Sequence, residues 1–258
     1  MLLTTNTKMD LNCDMGEHVE SGRMDADEGI LPWVTSVSIA CGFHAGDPGT
    51  MRRTVRLAVE HGVFIGAHPG LPDRIGFGRR RIDVSPEEAY EMTLYQIGAL
   101  GAIVRGENGR LRHVKPHGAL YHMAAADHAL AEAIVQAIKA YDHSLCLYAP
   151  PSSALVDAGR GAGLRCAIEA FVDRRYRSDG TLASREEEGA IVEDPEEGAR
   201  IAVELVVGRQ IRTVDGGAIV LDPDTICLHG DTPGAALFAR RINQALREAG
   251  VELKGVAE

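Results

Sequence analysis

Asn12, Asp14, Glu17, His44, Asp47, His68, Asp73, Lys115, His117, Asp173, Arg177, His229 and Asp231 are the residues of this chain whose types could do hydrolytic chemistry. His44, His68, His117 and His229 each follow closely on a short apolar run of the kind that forms a buried strand. One histidine beside such a run is most often structural. Four at equivalent points, among ten in the chain, predict a functional cluster. Two chemistries fit. Neutral imidazoles with Asp14 suit zinc or another divalent metal, although no HExxH motif is present to fix the ligands. Alternatively Asp14, oriented by a histidine, acts on water while Lys115 or a histidine stabilises an oxyanion. Lys115 is one of only four lysines, and it ends an apolar strand. Arg74, Arg79, Arg80 and Arg81, and further on Arg174, Arg175 and Arg177, offer guanidinium groups for a carboxylate or phosphate.

The elements that must position these groups follow one repeated design. Residues 36–41 form a short run rich in β-branched residues, and Gly42 ends it. Asp47 and Pro48 then open a helix that Gly62 closes. Further strands are predicted at 9–13, 63–67, 112–116, 145–149, 165–171 and 225–228. Helices are predicted near 26–34, 85–105, 127–141, 153–159, 194–207 and 232–250, with Ser85 and Glu88 as a capping box. Asp215-Gly216 marks a hairpin. Residues 172–190 lack periodicity and read as a lid or binding loop.

Strands alternating with helices imply a parallel sheet. The first strand is followed by no GxGxxG, which disfavours a dinucleotide fold. The polar signatures fall at the C-terminal ends of nearly every strand. A closed seven-stranded α/β barrel, TIM-like, explains this best, because there all strand ends meet on one face. Residues 1–258 read as a single barrel domain with residues 1–8 a loose extension.

The 258 residues suffice for one full core. A net charge of −10 argues against nucleic acid or an anionic membrane as partner. Long apolar spans and a basic leader are absent from the sequence, which with five unpaired-looking cysteines points to a cytoplasmic protein. Cys13, Cys41, Cys146, Cys166 and Cys227 read as small core residues. There is no phosphate loop of the GxxxxGK[ST] type and no GxSxG.

DLNCDMGE, SIACGFHAGDP, GAHPGLPDRIGFGRR, VKPHGALYH, FVDRRYRSDGTLASR and LHGDTPGA, in this order, resemble the LamB/YcsF family over nearly the whole chain, from about Met9 to about Gly250. The resemblance implies a seven-stranded (β/α) barrel akin to the sugar deacetylase fold. It further implies ATP-dependent opening of the 5-oxoproline lactam to L-glutamate, with ATP shared with two partner subunits, 5-oxoprolinase subunits B and C. On that footing Asp14 is expected as general base and His44, His68 and His229 as orienting groups. Lys115 and His117 are expected to stabilise charge. Substrate contacts are expected from Asn12, Glu17, Asp47, Asp73, Arg79, Asp173, Arg177 and Asp231. A homo-oligomer is compatible with all of this. Two other readings stay open: a non-catalytic substrate-binding role within that complex, and a metal-dependent deacylase acting alone.

Overall fold

The structure, a computed structural model, describes residues 7–17, 24–230 and 234–256. Seven parallel strands close into a barrel in the order β1 (Lys8–Met15), β2 (Ser36–Ala40), β3 (Phe64–His68), β4 (Leu111–Val114), β5 (Cys146–Ala149), β6 (Arg165–Phe171) and β9 (Thr225–His229). Closure comes from pairing of β1 with β9, in a register that sets Asp14 against His229. The expected seven-stranded parallel barrel is therefore what this chain forms.

Side chains alternate between the two faces of each strand. In β1, Met9, Leu11, Cys13 and Met15 belong to the apolar core, while Asp10, Asn12 and Asp14 alternate with them. The alternate set carries a polar network through the barrel. Ser36, Tyr148 and Thr225 hydroxyls donate to Asp10, at 2.8, 2.9 and 2.6 Å. Ser38 meets His113 Nε2 at 3.2 Å, and that ring stacks on Tyr148. The barrel interior is thus polar, and the apolar core lies between barrel and helices.

The helices are α1 (Met24–Ile30), α2 (Pro48–Glu60), α3 (Pro86–Gly106), α4 (Gly118–Ala126), α5 (His128–Tyr141), α6 (Ala154–Gly161), α7 (Pro195–Val203) and α8 (Ala235–Glu248). Their starts follow from local chemistry. Asp47 accepts the Thr50 N–H at 2.9 Å ahead of Pro48. Ser85 and Glu88 form the expected reciprocal box. Pro32 turns the end of α1 into the short 3₁₀ segment Leu31–Trp33.

Four points differ from expectation. α4 occupies the stretch after His117 that reads as a strand exit, because LYHMAAA supplies good helix formers immediately after Gly118. Lys8 already lies in β1, so the extension is shorter than eight residues in its described part; residues 1–6 lie outside the described residues. α8 begins at Ala235, and Asp231, Thr232 and Pro233 lie outside the described residues. A short strand β10 (Glu252–Leu253) pairs with the outer end of β1. The hairpin is present as β7 (Gln210–Arg212) and β8 (Ala218–Val220). Among the described residues no helix is long and apolar enough to cross a membrane.

Candidate active site

The C-terminal ends of the strands open into a cavity of about 550 Å³. Asp14, His68, Lys115, His117 and His229 line it, with Arg79, Arg174 and Arg185 at its wall. The barrel alone brings these residues together: β1 supplies Asp14, β3 His68 and β9 His229, while Lys115 and His117 follow β4.

At the floor lies a buried ion pair. Lys115 Nζ is 2.8 Å from Asp14 Oδ1 and 2.9 Å from Glu169 Oε1. It also donates to Asn12 Oδ1 at 3.2 Å and lies 3.0 Å from Cys227 Sγ. Asn12 donates in turn to Glu169 Oε1 and to the Thr225 hydroxyl, at 3.1 and 2.8 Å, and the Tyr121 hydroxyl donates to Glu169 Oε2 at 3.0 Å. Burial works to raise the Asp14 pKa, but His68 and the Lys115 ammonium outweigh it and hold the carboxyl well below its ordinary value. Burial likewise works against the Lys115 charge, yet Asp14 and the other anionic neighbours push its pKa well above the usual lysine range. The environment of the floor thus favours a carboxylate–ammonium pair.

Beside it Glu17, His44, His68 and His117 converge, and one donor atom from each lies within 4.8 Å of the others. These four could hold a metal. Glu17 Oε1 is 3.2 Å from His44 Nε2 and 3.2 Å from His117 Nδ1. The His44 and His117 rings stack with centroids 3.7 Å apart. Burial, and then the neighbouring His117, depress the His44 pKa to about 3; burial lowers that of His117 as well. Gly78 makes this stack possible: it has φ +64°, and a Cβ there would come within 2.7 Å of His44 Cβ.

On the far wall Asp173 accepts from His229 twice, from its backbone N–H at 2.9 Å and from Nδ1 at 2.7 Å. Burial disfavours the imidazolium, but Asp173 more than compensates and raises the His229 pKa. Asp173 is thus a positioning group for His229.

Other expected residues are placed elsewhere. Asp47 is exposed and caps α2, its carboxylate taken up by the Thr50 N–H and hydroxyl. Asp73 staples the loop after β3 through Arg80 and the Gly76 N–H. Arg177 is exposed and pairs with Glu187 at 2.5 Å. Asn12 is buried beneath the ion pair and positions Lys115. Arg79 does face the cavity, with its guanidinium over Phe77. Asp231 lies outside the described residues.

Glu169, Tyr121 and Arg185 are the residues that sequence reasoning missed, while Arg174 was offered only as one of three guanidinium groups in its segment. The signal for Glu169 was a lone charge inside the strand RCAIEAF. Arg174 is only 7% exposed, and its Nε makes no hydrogen bond. Burial and the nearby Arg185 lower its pKa to about 10. Burial raises the Cys13 and Cys227 thiols well above their ordinary pKa and Cys41 to about 12, which disfavours the thiolate at all three.

A parallel barrel whose strand ends gather ionised carboxylate, ammonium and imidazole groups around one cavity is the architecture of a barrel hydrolase. The LamB/YcsF family model matches residues 9–258, and this chain belongs to that family. The A component of the 5-oxoprolinase of Geobacillus kaustophilus is 52% identical over 246 residues, spanning 95% of this chain and 96% of that protein. Its namesake from Tolumonas auensis is 50% identical, over 96% of this chain and 99% of that one. Among solved structures, the lactam utilization protein of Thermus thermophilus superposes with a TM-score of 0.90 at 46% identity, covering 96% of this chain and 99% of that chain.

Proposed function

We propose that this chain is the hydrolytic subunit of a cytoplasmic ATP-dependent 5-oxoprolinase, opening 5-oxo-L-proline to L-glutamate together with subunits B and C. The observation that carries the reading is the Asp14–Lys115 pair, ionised and desolvated at the floor of a cavity walled by Arg79, Arg174 and Arg185. The names of the family members at about half identity supply the substrate.

An unstrained lactam is a poor electrophile. Phosphorylation of its carbonyl oxygen by ATP makes the carbon reactive, and that step belongs to the partner subunits, since no phosphate loop is written in this sequence. Asp14 then takes the proton of the attacking water, while Lys115 stabilises the negative charge that develops. His229, held by Asp173, gives a proton to the ring nitrogen as the C–N bond breaks. A second water hydrolyses the resulting acyl phosphate, releasing glutamate and phosphate. The guanidinium groups of the wall match both the substrate carboxylate and the phosphoryl group.

A glutamate assay tests this. Subunits B and C are assayed with ATP alone, with this chain, and with its Asp14→Asn variant. Full turnover is expected only with the parent chain. Equal turnover by B and C without it would reduce the chain to a binding role and end the proposal.

A further inference from the structure

The cluster beside the ion pair has a bonding pattern that a set of structural histidines does not need. Glu17, His44, His68 and His117 are all buried. His68 Nδ1 lies 2.7 Å from the Lys115 carbonyl oxygen, and His117 Nε2 lies 2.8 Å from that of Phe77. A carbonyl oxygen only accepts, so each of these nitrogens carries the ring hydrogen. While the rings are neutral the opposite nitrogens, His68 Nε2 and His117 Nδ1, are bare lone pairs, and they face each other across 2.9 Å. Glu17 Oε1 brings further lone pairs, 3.2 Å from His117 Nδ1, 3.2 Å from His44 Nε2 and 3.7 Å from His68 Nε2. Lone pairs gathered this closely, out of water, repel unless positive charge lies among them, and one proton bridges only one pair.

The spacing fits a tetrahedral cation. With bonds of about 2.0–2.1 Å, the ligand atoms of a tetrahedral ion stand about 3.3 Å apart. The separations quoted, from 2.9 to 3.7 Å, bracket that value. Pinning of the outer imidazole nitrogen by a backbone carbonyl is also how proteins orient metal-bound histidines.

We propose that Glu17, His44, His68 and His117 bind one divalent first-row transition-metal ion of the zinc type. Three imidazoles and one carboxylate leave the bound ion with a net positive charge. His68 Nε2 is 3.3 Å from Asp14 Oδ2, so that charge stands next to the proposed base. Its use in catalysis rests on the lactam-opening reading; its binding does not.

The test uses the full chain alone, freed of metal and titrated with Co²⁺ and then Zn²⁺. One Co²⁺ per chain with the visible bands of a tetrahedral site, displaced by Zn²⁺, is the expected result. Glu17→Gln and His68→Ala should each weaken binding by at least about tenfold with an unchanged circular dichroism spectrum, while His143→Ala, at an exposed site, should bind as the parent does. No saturable uptake, or equal uptake by parent and Glu17→Gln, overturns the proposal. If His68→Ala fails to fold, Glu17→Gln decides alone, because it keeps the side-chain shape. Glutamate formation by a metal-free complex would remove the ion from catalysis and leave the lactam reading standing. A metal-loaded chain that adds nothing to subunits B and C would do the reverse.

Discussion

Replacing Lys115 by methionine should separate the cost of the buried charges from the packing around them. The ammonium lies 2.8 Å from Asp14 and 2.9 Å from Glu169, and all three residues are at most 2% exposed. At an effective dielectric of about 20, each contact is worth about 6 kcal/mol of Coulomb attraction before desolvation is subtracted. Removing one member of a buried ion pair costs about 3–5 kcal/mol net, because the remaining carboxylates lose their counter-charge. For a chain of this size that corresponds to a fall in Tm of roughly 6–20 °C. The pH dependence supplies the sharper signature. In the parent, Asp14 has a depressed pKa, so its contribution is present at neutral pH and is lost as pH falls through the folded value. In Lys115→Met the Asp14 carboxyl loses the ammonium that helps His68 hold its pKa down, so that pKa should rise and the variant should lose stability as pH rises through it. The gap in Tm between parent and variant should therefore narrow from pH 8 to pH 5. Adding Glu169→Gln should recover about 1–3 kcal/mol of the loss. Scanning calorimetry of the three proteins across that range measures all of this. A variant melting within 2 °C of the parent, or a gap that widens on acidification, would refute the assignment of a charged Lys115.

Asp14→Asn should lower glutamate formation by about 10²–10⁴-fold in the full complex, without loss of its assembly as judged by gel filtration. Asp173→Asn should move the high-pH limb of the rate profile to lower pH: Asp173 raises the His229 pKa, the imidazolium is the active form below it, and activity falls as pH rises through it. Gly78→Ala should destabilise the chain by about 1–3 kcal/mol, since it combines positive φ with a close approach to His44; denaturant titration reads the loss.

Much of the barrel was legible because each strand ends in a polar motif and each following helix opens on a recognisable cap. The interior was not. A run such as KMDLNCDM reads as a strand with polar residues at its exit, but not as one whose alternate positions Asp10, Asn12 and Asp14 form a polar network inside the barrel. Which face a polar residue takes depends on closure, which no single run records. Glu169 was overlooked for this reason, although its carboxylate lies 2.9 Å from Lys115 Nζ. Asp47 and Asp73 illustrate the converse. Both sit near glycine and proline, where a carboxylate serves backbone N–H groups as readily as a substrate. In the aperiodic segment after β6 the sequence offered three arginines with nothing to rank them. The fold turns Arg174 inward and Arg177 out to Glu187.

The seam between β1 and β9 joins strands more than two hundred residues apart in the chain, and it is there that Asp14 and His229 become neighbours. During synthesis the ring cannot shut until nearly all of the polypeptide has left the ribosome. A chain that stops before β9 therefore lacks both the strand that shuts the ring and His229.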